Sequence, residues 1–155
     1  MAAVSSPLSD DARKVTGDAL QGALVDLIDL SLQAKQAHWN LTGRHFRSLH
    51  LQLDEVVDIA RRHMDVVAER AVAIGVNPDG RASTVATSAH TDQLPDGYVS
   101  DTDVVQAFTG LLAEVGHRFR QRVADTDEPD PVSQDLLIAA AQDIEQQHWM
   151  FQAQR

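Results

Sequence analysis

The side chains best suited to chemistry lie on one stretch of the chain, where His50, Asp54, Asp65 and Glu69 are separated by steps of four, eleven and four. If that stretch is helical, each residue advances about 100°, and with His50 at the origin Asp54 falls near 40°, Asp65 near 60° and Glu69 near 100°. All four share one arc of roughly 100°, and Asp58, near 80°, lies inside it. Imidazole nitrogens mixed with carboxylate oxygens suit iron and other first-row divalent ions. An i,i+4 pair such as His50/Asp54 or Asp65/Glu69 can aim both side chains at a single ion. The rival reading is a solvated charged face, the ordinary fate of a polar stripe opposite a core. Against it, the ligand-type residues of the stripe are of one sign, with Arg61 its main positive member, and a further histidine, His38, precedes His50 by twelve residues.

Helical rise divides this set in two. The midpoints of the two pairs are about 22 Å apart along the axis, so no single centre can use both from one chain. Two copies packed antiparallel about a two-fold axis near Ile59–Ala60 would bring the His50/Asp54 end of one beside the Asp65/Glu69 end of the other. Such an isologous contact generates two identical sites. With His38 included, each would hold two imidazoles and three carboxylates.

The elements that must position these residues follow from hydrophobic spacing. A first helix is expected from about Asp10 to Leu41, with Leu20, Leu24, Leu27, Ser31 and Ala34 inward at 3–4 spacing, ended by Thr42-Gly43. A second runs from Arg44 or Phe46 to Ile74 and stops at Gly75. Its core stripe is Leu49, Leu53, Val56, Ala60, Met64, Val67, Ala71 and Ile74, centred near 280° and well clear of the ligand arc. His63, near 220°, falls closer to that core than to the arc. The polar stretch Arg81–Val99, containing Pro95-Asp96-Gly97, reads as a long crossover carrying a short helix near Ser83–Thr87. A third helix starts at a Ser100 or Asp101 cap and ends near Ala124. After an acidic loop, Asp130-Pro131 reads as an N-cap followed by proline at the first helical position. The fourth helix then continues to about Gln154, with Leu136, Ala140, Ile144 and Phe151 inward. Two long helices, a crossover and two more give an all-α, ferritin-like four-helix bundle over residues 10–155, preceded by a short arm, 1–9.

Composition narrows the partners. The 155 residues suit one core, and 13 Lys+Arg against 23 Asp+Glu leave a formal net charge of −10, which repels nucleic acid and attracts cations. There is no cysteine, which excludes disulfides, thiolate metal sites and cysteine nucleophiles. No apolar run approaches the ~18 residues of a membrane span, and the opening MAAVSSPLSDDARK lacks a secretory pattern. A cytoplasmic protein, with nucleoid association as a variant, is the expectation.

Lys35-Gln36-Ala37-His38-Trp39-Asn40, His50 and Asp54 at their spacing, and Asp65-Val66-Val67-Ala68-Glu69-Arg70-Ala71 resemble the Dps family (DNA-binding protein from starved cells), the small ferritins. Trp149-Met150-Phe151 fits the family's last helix more weakly. The resemblance implies a hollow dodecamer with ferroxidase sites shared across two-fold interfaces, His38, His50 and Asp54 coming from one subunit and Asp65 and Glu69 from its neighbour. It further implies oxidation of Fe(II), preferably by hydrogen peroxide and otherwise by oxygen, storage of ferric iron, and protection against oxidative damage. Trp39 then stands near the site and intercepts stray radicals, or else simply packs at the helix end. Asp58 supports the ligands indirectly or faces water.

Several further features carry two readings each. Asp125, Asp127, Glu128, Asp130 and Asp135 could line a three-fold pore for iron, with Asp127, Asp130 and Asp135 the candidates; Asp130 is equally suited to capping alone. The N-terminal arm offers only Arg13 and Lys14 among acids, so weak or absent DNA binding is expected, with a DNA-compacting cage as the alternative. Glu114/His117 and Glu145/His148 both fit Glu-x-x-His, the pattern that ferritin-like proteins aim into a bundle to hold an internal di-iron centre. The first helix has no glutamate to complete such a centre.

Overall fold

A computed structural model describes residues 4–155; the first three residues of the expected arm lie outside the described part. Five helices occur in the order α1 (Asp10–Asn40), α2 (Phe46–Ala73), α3 (Ala82–Ser88), α4 (Asp101–Thr126) and α5 (Pro131–Gln152), with two-residue strands β1 (Leu41–Thr42) and β2 (Val99–Ser100). α1 packs on α2 and α4 on α5, while α2 faces α5 and α1 faces α4, which closes a four-helix bundle. The chain is an all-α, ferritin-like bundle.

Local chemistry accounts for the helix boundaries. Ser9 caps α1 by accepting from the Ala12 N–H, and Asp10 and Asp11 complement the positive end of the helix. Ser100 does the same for α4. α2 ends in a Schellman turn: the Val76 N–H bonds the Ala71 carbonyl, the Gly75 N–H bonds that of Val72, and Gly75 takes φ +80°. Gly43 turns the chain between α1 and α2 at φ +130°, and a Cβ there would sit 2.4 Å from the Asp101 carboxyl carbon. The carboxylate of Asp101 uses that space to accept from the N–H groups of His45 and Thr102.

The core follows the expected stripes closely. Leu20, Leu24, Leu27, Ser31 and Ala34 are all buried, as is every member of the α2 stripe except the half-buried Met64. In α5 the reading is off by one position, since Leu136 is half-buried and Leu137 fills the core instead. Phe108, Phe119 and Phe151 are fully buried, and the rings of Phe108 and Phe151 lie 5.5 Å apart. α4 runs two residues past its expected end because Thr126 is buried and bonds back to the Arg122 carbonyl.

Polar ties fix how the hairpins meet. Asp26, buried on α1, accepts from Arg118 (3.0 Å) and Arg122 (2.7 Å) on α4. Asp29 accepts from Gln33, Thr91 and Gln93, which fastens the crossover to α1. β1 and β2 pair in parallel, Leu41 beside Val99 and Thr42 beside Ser100, so the end of α1 adjoins the start of α4. At the other end Arg70 of α2 bonds Ser133 and Asp130, joining it to the start of α5.

Candidate metal centre

The histidine end of α2 is an ordered, half-built site. The rings of His38 and His50 stack with centroids 3.6 Å apart and planes 17° from parallel. Nδ1 of His38 lies 2.7 Å from the carbonyl of His50, and Nδ1 of His50 lies 2.9 Å from the carbonyl of His38. A carbonyl oxygen can only accept, so both Nδ1 atoms are assigned as donors in this arrangement, which leaves Nε2 as the nitrogen able to offer a lone pair. That is the tautomer a metal-binding imidazole needs, held by the backbone of the facing helix. His38 is buried, and Phe46 covers His50 with its ring centroid 4.9 Å away. The carbonyl end of α1, two residues beyond His38, adds a partial negative charge that favours a cation.

Asp54 completes this end. Its Oδ1 accepts from the Lys35 ammonium at 2.5 Å and lies 3.4 Å from Nδ1 of His38. The hydrogen bond from Lys35 holds the Asp54 carboxyl below the usual carboxylate range, outweighing the opposing effect of desolvation. Asp54 is therefore a carboxylate at any pH near neutrality. Lys35 is a participant that helical-wheel reasoning on α2 does not reach. It stands in the same four-residue stretch as His38, one turn earlier on α1, and that spacing was the available signal.

The carboxylate end differs. Asp65 and Glu69 are exposed, and neither has a side-chain hydrogen bond or ion pair among the described residues. Arg70, next in sequence, points the other way to Asp130 and Ser133, so the helix beneath the two bare carboxylates is anchored to α5. Among the described residues of one chain, no three histidines or carboxylates gather into a metal cluster. The structure sets His50 and Asp54 each beside His38, short of a metal cluster within one chain, and leaves Asp65 and Glu69 farther along α2.

The remaining candidates separate by surroundings. Trp39 is 67% exposed and does not pack into the core of its own chain. Asp58 is exposed. His63 bonds Asp143 of α5 at 2.7 Å, off the ligand arc. Burial pushes the Asp143 carboxyl up, but hydrogen bonds from His63 and Arg62 together hold it below its ordinary value. Asp127 and Asp135 are exposed. Asp130 is only 3% exposed and turns inward, accepting from the Val132 N–H, Ser133 and Arg70, so within one chain its carboxylate serves the cap of α5.

An internal di-iron centre built from the Glu-x-x-His pairs is not what the fold contains. Glu114 and His117 face outward on α4, Glu145 is held by Arg120 through contacts of 2.5 and 2.9 Å, and His148 is half-buried beside them. The bundle interior at that level is closed by Leu112, Val115, Phe119 and Ile144. A surface cavity of about 850 Å³ between the α1–α2 turn, α4 and the end of α5 contains His45, Asp101 and Arg155 but none of the five candidate ligands.

Comparison with known proteins finds relatives of the sequence and of the overall fold. A ferritin-like domain model matches residues 17–155. The chain is 37% identical over 145 residues to DNA protection during starvation protein 2 of Deinococcus radiodurans, covering 94% of this chain and 60% of that protein. It therefore spans less than two thirds of that relative. It is 31% identical over 147 residues to the DNA protection during starvation protein of Agrobacterium fabrum, covering 94% and 91% of the two chains. The solved structure of Dps from Microbacterium arborescens in its high iron form superposes with a TM-score of 0.91 at 28% identity, covering 97% of both chains.

Proposed function

The chain belongs to the Dps family of ferritin-like proteins, and from that premise we propose that it oxidises ferrous iron at sites shared by two copies and stores the ferric product in a cage. The observation that carries this reading is the split of the ligands. Two histidines with free Nε2 atoms and one carboxylate are assembled at one end of α2, while two unpartnered carboxylates wait about 22 Å away at the other. Packing two copies antiparallel closes both gaps at once. The iron-loaded relative in Microbacterium arborescens supports iron as the substrate.

In the completed site, Nε2 of His38 and His50 and the carboxylate of Asp54 bind Fe(II), and Asp65 and Glu69 of the second copy close around it. Three carboxylates favour the higher charge of Fe(III) over Fe(II), which assists loss of the electron. Two ferrous ions supply the two electrons that one hydrogen peroxide needs, and with two protons it leaves as two waters; oxygen is the alternative oxidant. Both reagents of hydroxyl-radical formation are consumed together, which is how such a protein protects the cell. Trp39, exposed beside His38, is placed to intercept a radical that escapes. Asp127 and Asp135, exposed at the α4–α5 connection, are the acids suited to lining an iron entry pore in a dodecameric cage.

Complementation tests this reading. His50→Ala and Glu69→Ala are each expected to abolish ferrous oxidation. Unfolding and refolding an equal mixture should restore about a quarter of the sites, because half of the pairs are mixed and each then owns one intact site. A mixture as inactive as its components would overturn the shared site. A DNA-compacting cage is the second reading, favoured by the names of the relatives and opposed by the net charge of −10. We expect no stable gel shift at roughly 0.15 M salt, where nonspecific phosphate contacts fade.

A further inference from the structure

We infer that Asp58 and Arg61 form a self-complementary lock that holds two α2 helices in register before any metal binds. This rests on the two-copy reading above and names what sustains it. The exposed arc of α2 holds more than ligands: Arg47, Leu51, Asp58, Arg61, Ala68 and Val72 all fall within the same roughly 100°. An antiparallel pair centred on the peptide between Ile59 and Ala60 sets each arc residue level with one of the partner copy. His50 then faces Glu69, Leu51 faces Ala68, Arg47 faces Val72, and Asp54 faces Asp65.

That last rung is the only one that opposes like charges, and it occurs twice in the interface. Lys35 relieves one carboxylate of it, and a bound cation would relieve both. Without metal, the interface carries two carboxylate–carboxylate contacts that push the copies apart. Asp58 and Arg61 stand level with each other across the centre of the same register, and they are the one rung of opposite charge. Both are exposed, and neither takes part in any ion pair or side-chain hydrogen bond among the described residues, whereas the adjacent Arg62 is committed to Asp143. Leu51 and Val72, 47% and 45% exposed, lie on the same arc and supply apolar area for the contact to cover. The occupant this face fits is therefore a second copy of itself. Charge at the centre attracts, and charge at the two flanking sites repels until metal enters.

The test uses purified full-length chain, stripped of metal with chelator, and reads association by sedimentation and subunit composition by native mass spectrometry. Asp58→Arg alone and Arg61→Asp alone each place like charges across both central rungs, and each should weaken association on the order of tenfold. An equal mixture of the two should recover association to within about twofold, with one of each variant per pair, as should the double variant Asp58→Arg/Arg61→Asp. The mixture is decisive because a bridge within one helix would gain nothing from a different partner. Single variants that associate like the unmodified chain, or a mixture no tighter than its components, would overturn the lock. Should the charge reversals unfold the helix, Asp58→Asn/Arg61→Gln replaces them. Its expected signature is loss of the salt sensitivity of association, and unchanged salt sensitivity would count against the lock. Rescue in the His50→Ala/Glu69→Ala mixture without rescue here removes the lock and leaves the shared site standing; failure of both removes both.

Discussion

The two ends of α2 contribute to one proposed centre yet are built on opposite plans. At the histidine end each donor atom is already placed by another contact: ring on ring, Nδ1 on a carbonyl, Asp54 on Lys35. At the carboxylate end Asp65 and Glu69 make no side-chain hydrogen bond or ion pair among the described residues, and the nearest anchor is Arg70 on Asp130 and Ser133. The contrast follows from chemistry. A neutral imidazole must show the correct nitrogen, so its orientation and tautomer need fixing, whereas a carboxylate presents two equivalent oxygens and loses little by arriving free. One half of the proposed site is a mould and the other a pair of exposed anions.

The contrast can be broken most directly by comparing ligand deletions. Glu69→Ala and His38→Ala should both lower ferrous oxidation by more than the 10–100-fold that loss of a supporting contact costs. Their stabilities should diverge: Glu69→Ala stays within about 0.5 kcal/mol of the parent, while His38→Ala, which removes a stacked ring and the Nδ1 bond to the His50 carbonyl, costs about 1–3 kcal/mol. Equal melting temperatures for the two variants would show that the histidine end is no better organised than the other.

A smaller effect sharpens the picture of the anchor beneath the carboxylates. Asp130→Ala removes the cap of α5 and leaves Arg70 without its carboxylate partner, for an expected loss of about 2–4 kcal/mol in urea unfolding. Burial pushes the Asp130 carboxyl up, but Ser133, Arg70 and the Val132 N–H together hold it below its ordinary value. Folding therefore lowers this pKa. The associated stability is complete above the ordinary carboxylate range near about 4 and is lost as pH falls through the depressed value. Asp130→Asn should flatten that acid limb, and a limb of unchanged steepness would assign it to other carboxylates. Smallest of all, Asp127→Asn/Asp135→Asn should slow iron uptake only a few-fold while leaving the oxidation signal, because a pore governs supply and not chemistry. Stopped-flow uptake at limiting iron would show it.

Much of this was legible in residue order. Amphipathic spacing gave four long helices, and the Ser100 and Asp130-Pro131 caps marked the starts of the last two. The arc of ligands on α2 was visible because helical geometry is local. What a wheel cannot show is the neighbour. The reciprocal His38–His50 bonds, the Lys35–Asp54 pair and the inward turn of Asp130 each depend on a second helix at a particular distance. The same limit explains Leu136, where spacing alone could not choose between adjacent leucines. It also explains the Glu-x-x-His pairs, whose pattern fits a bundle centre while their positions on α4 and α5 turn them outward.

The parallel contact of Leu41 with Val99 has a practical reach. It clips the outgoing end of α1 to the incoming end of α4, so everything threaded between them, α2 and the crossover alike, is tied off at its base like a looped cord. Just before that knot Tyr98 is 83% exposed, and a Cβ added at Gly97 meets nothing within 4 Å, so an addition at this turn enters open space. A fluorophore or peptide tag grafted at Asp96–Gly97 should therefore report on the assembled particle while leaving its redox chemistry untouched.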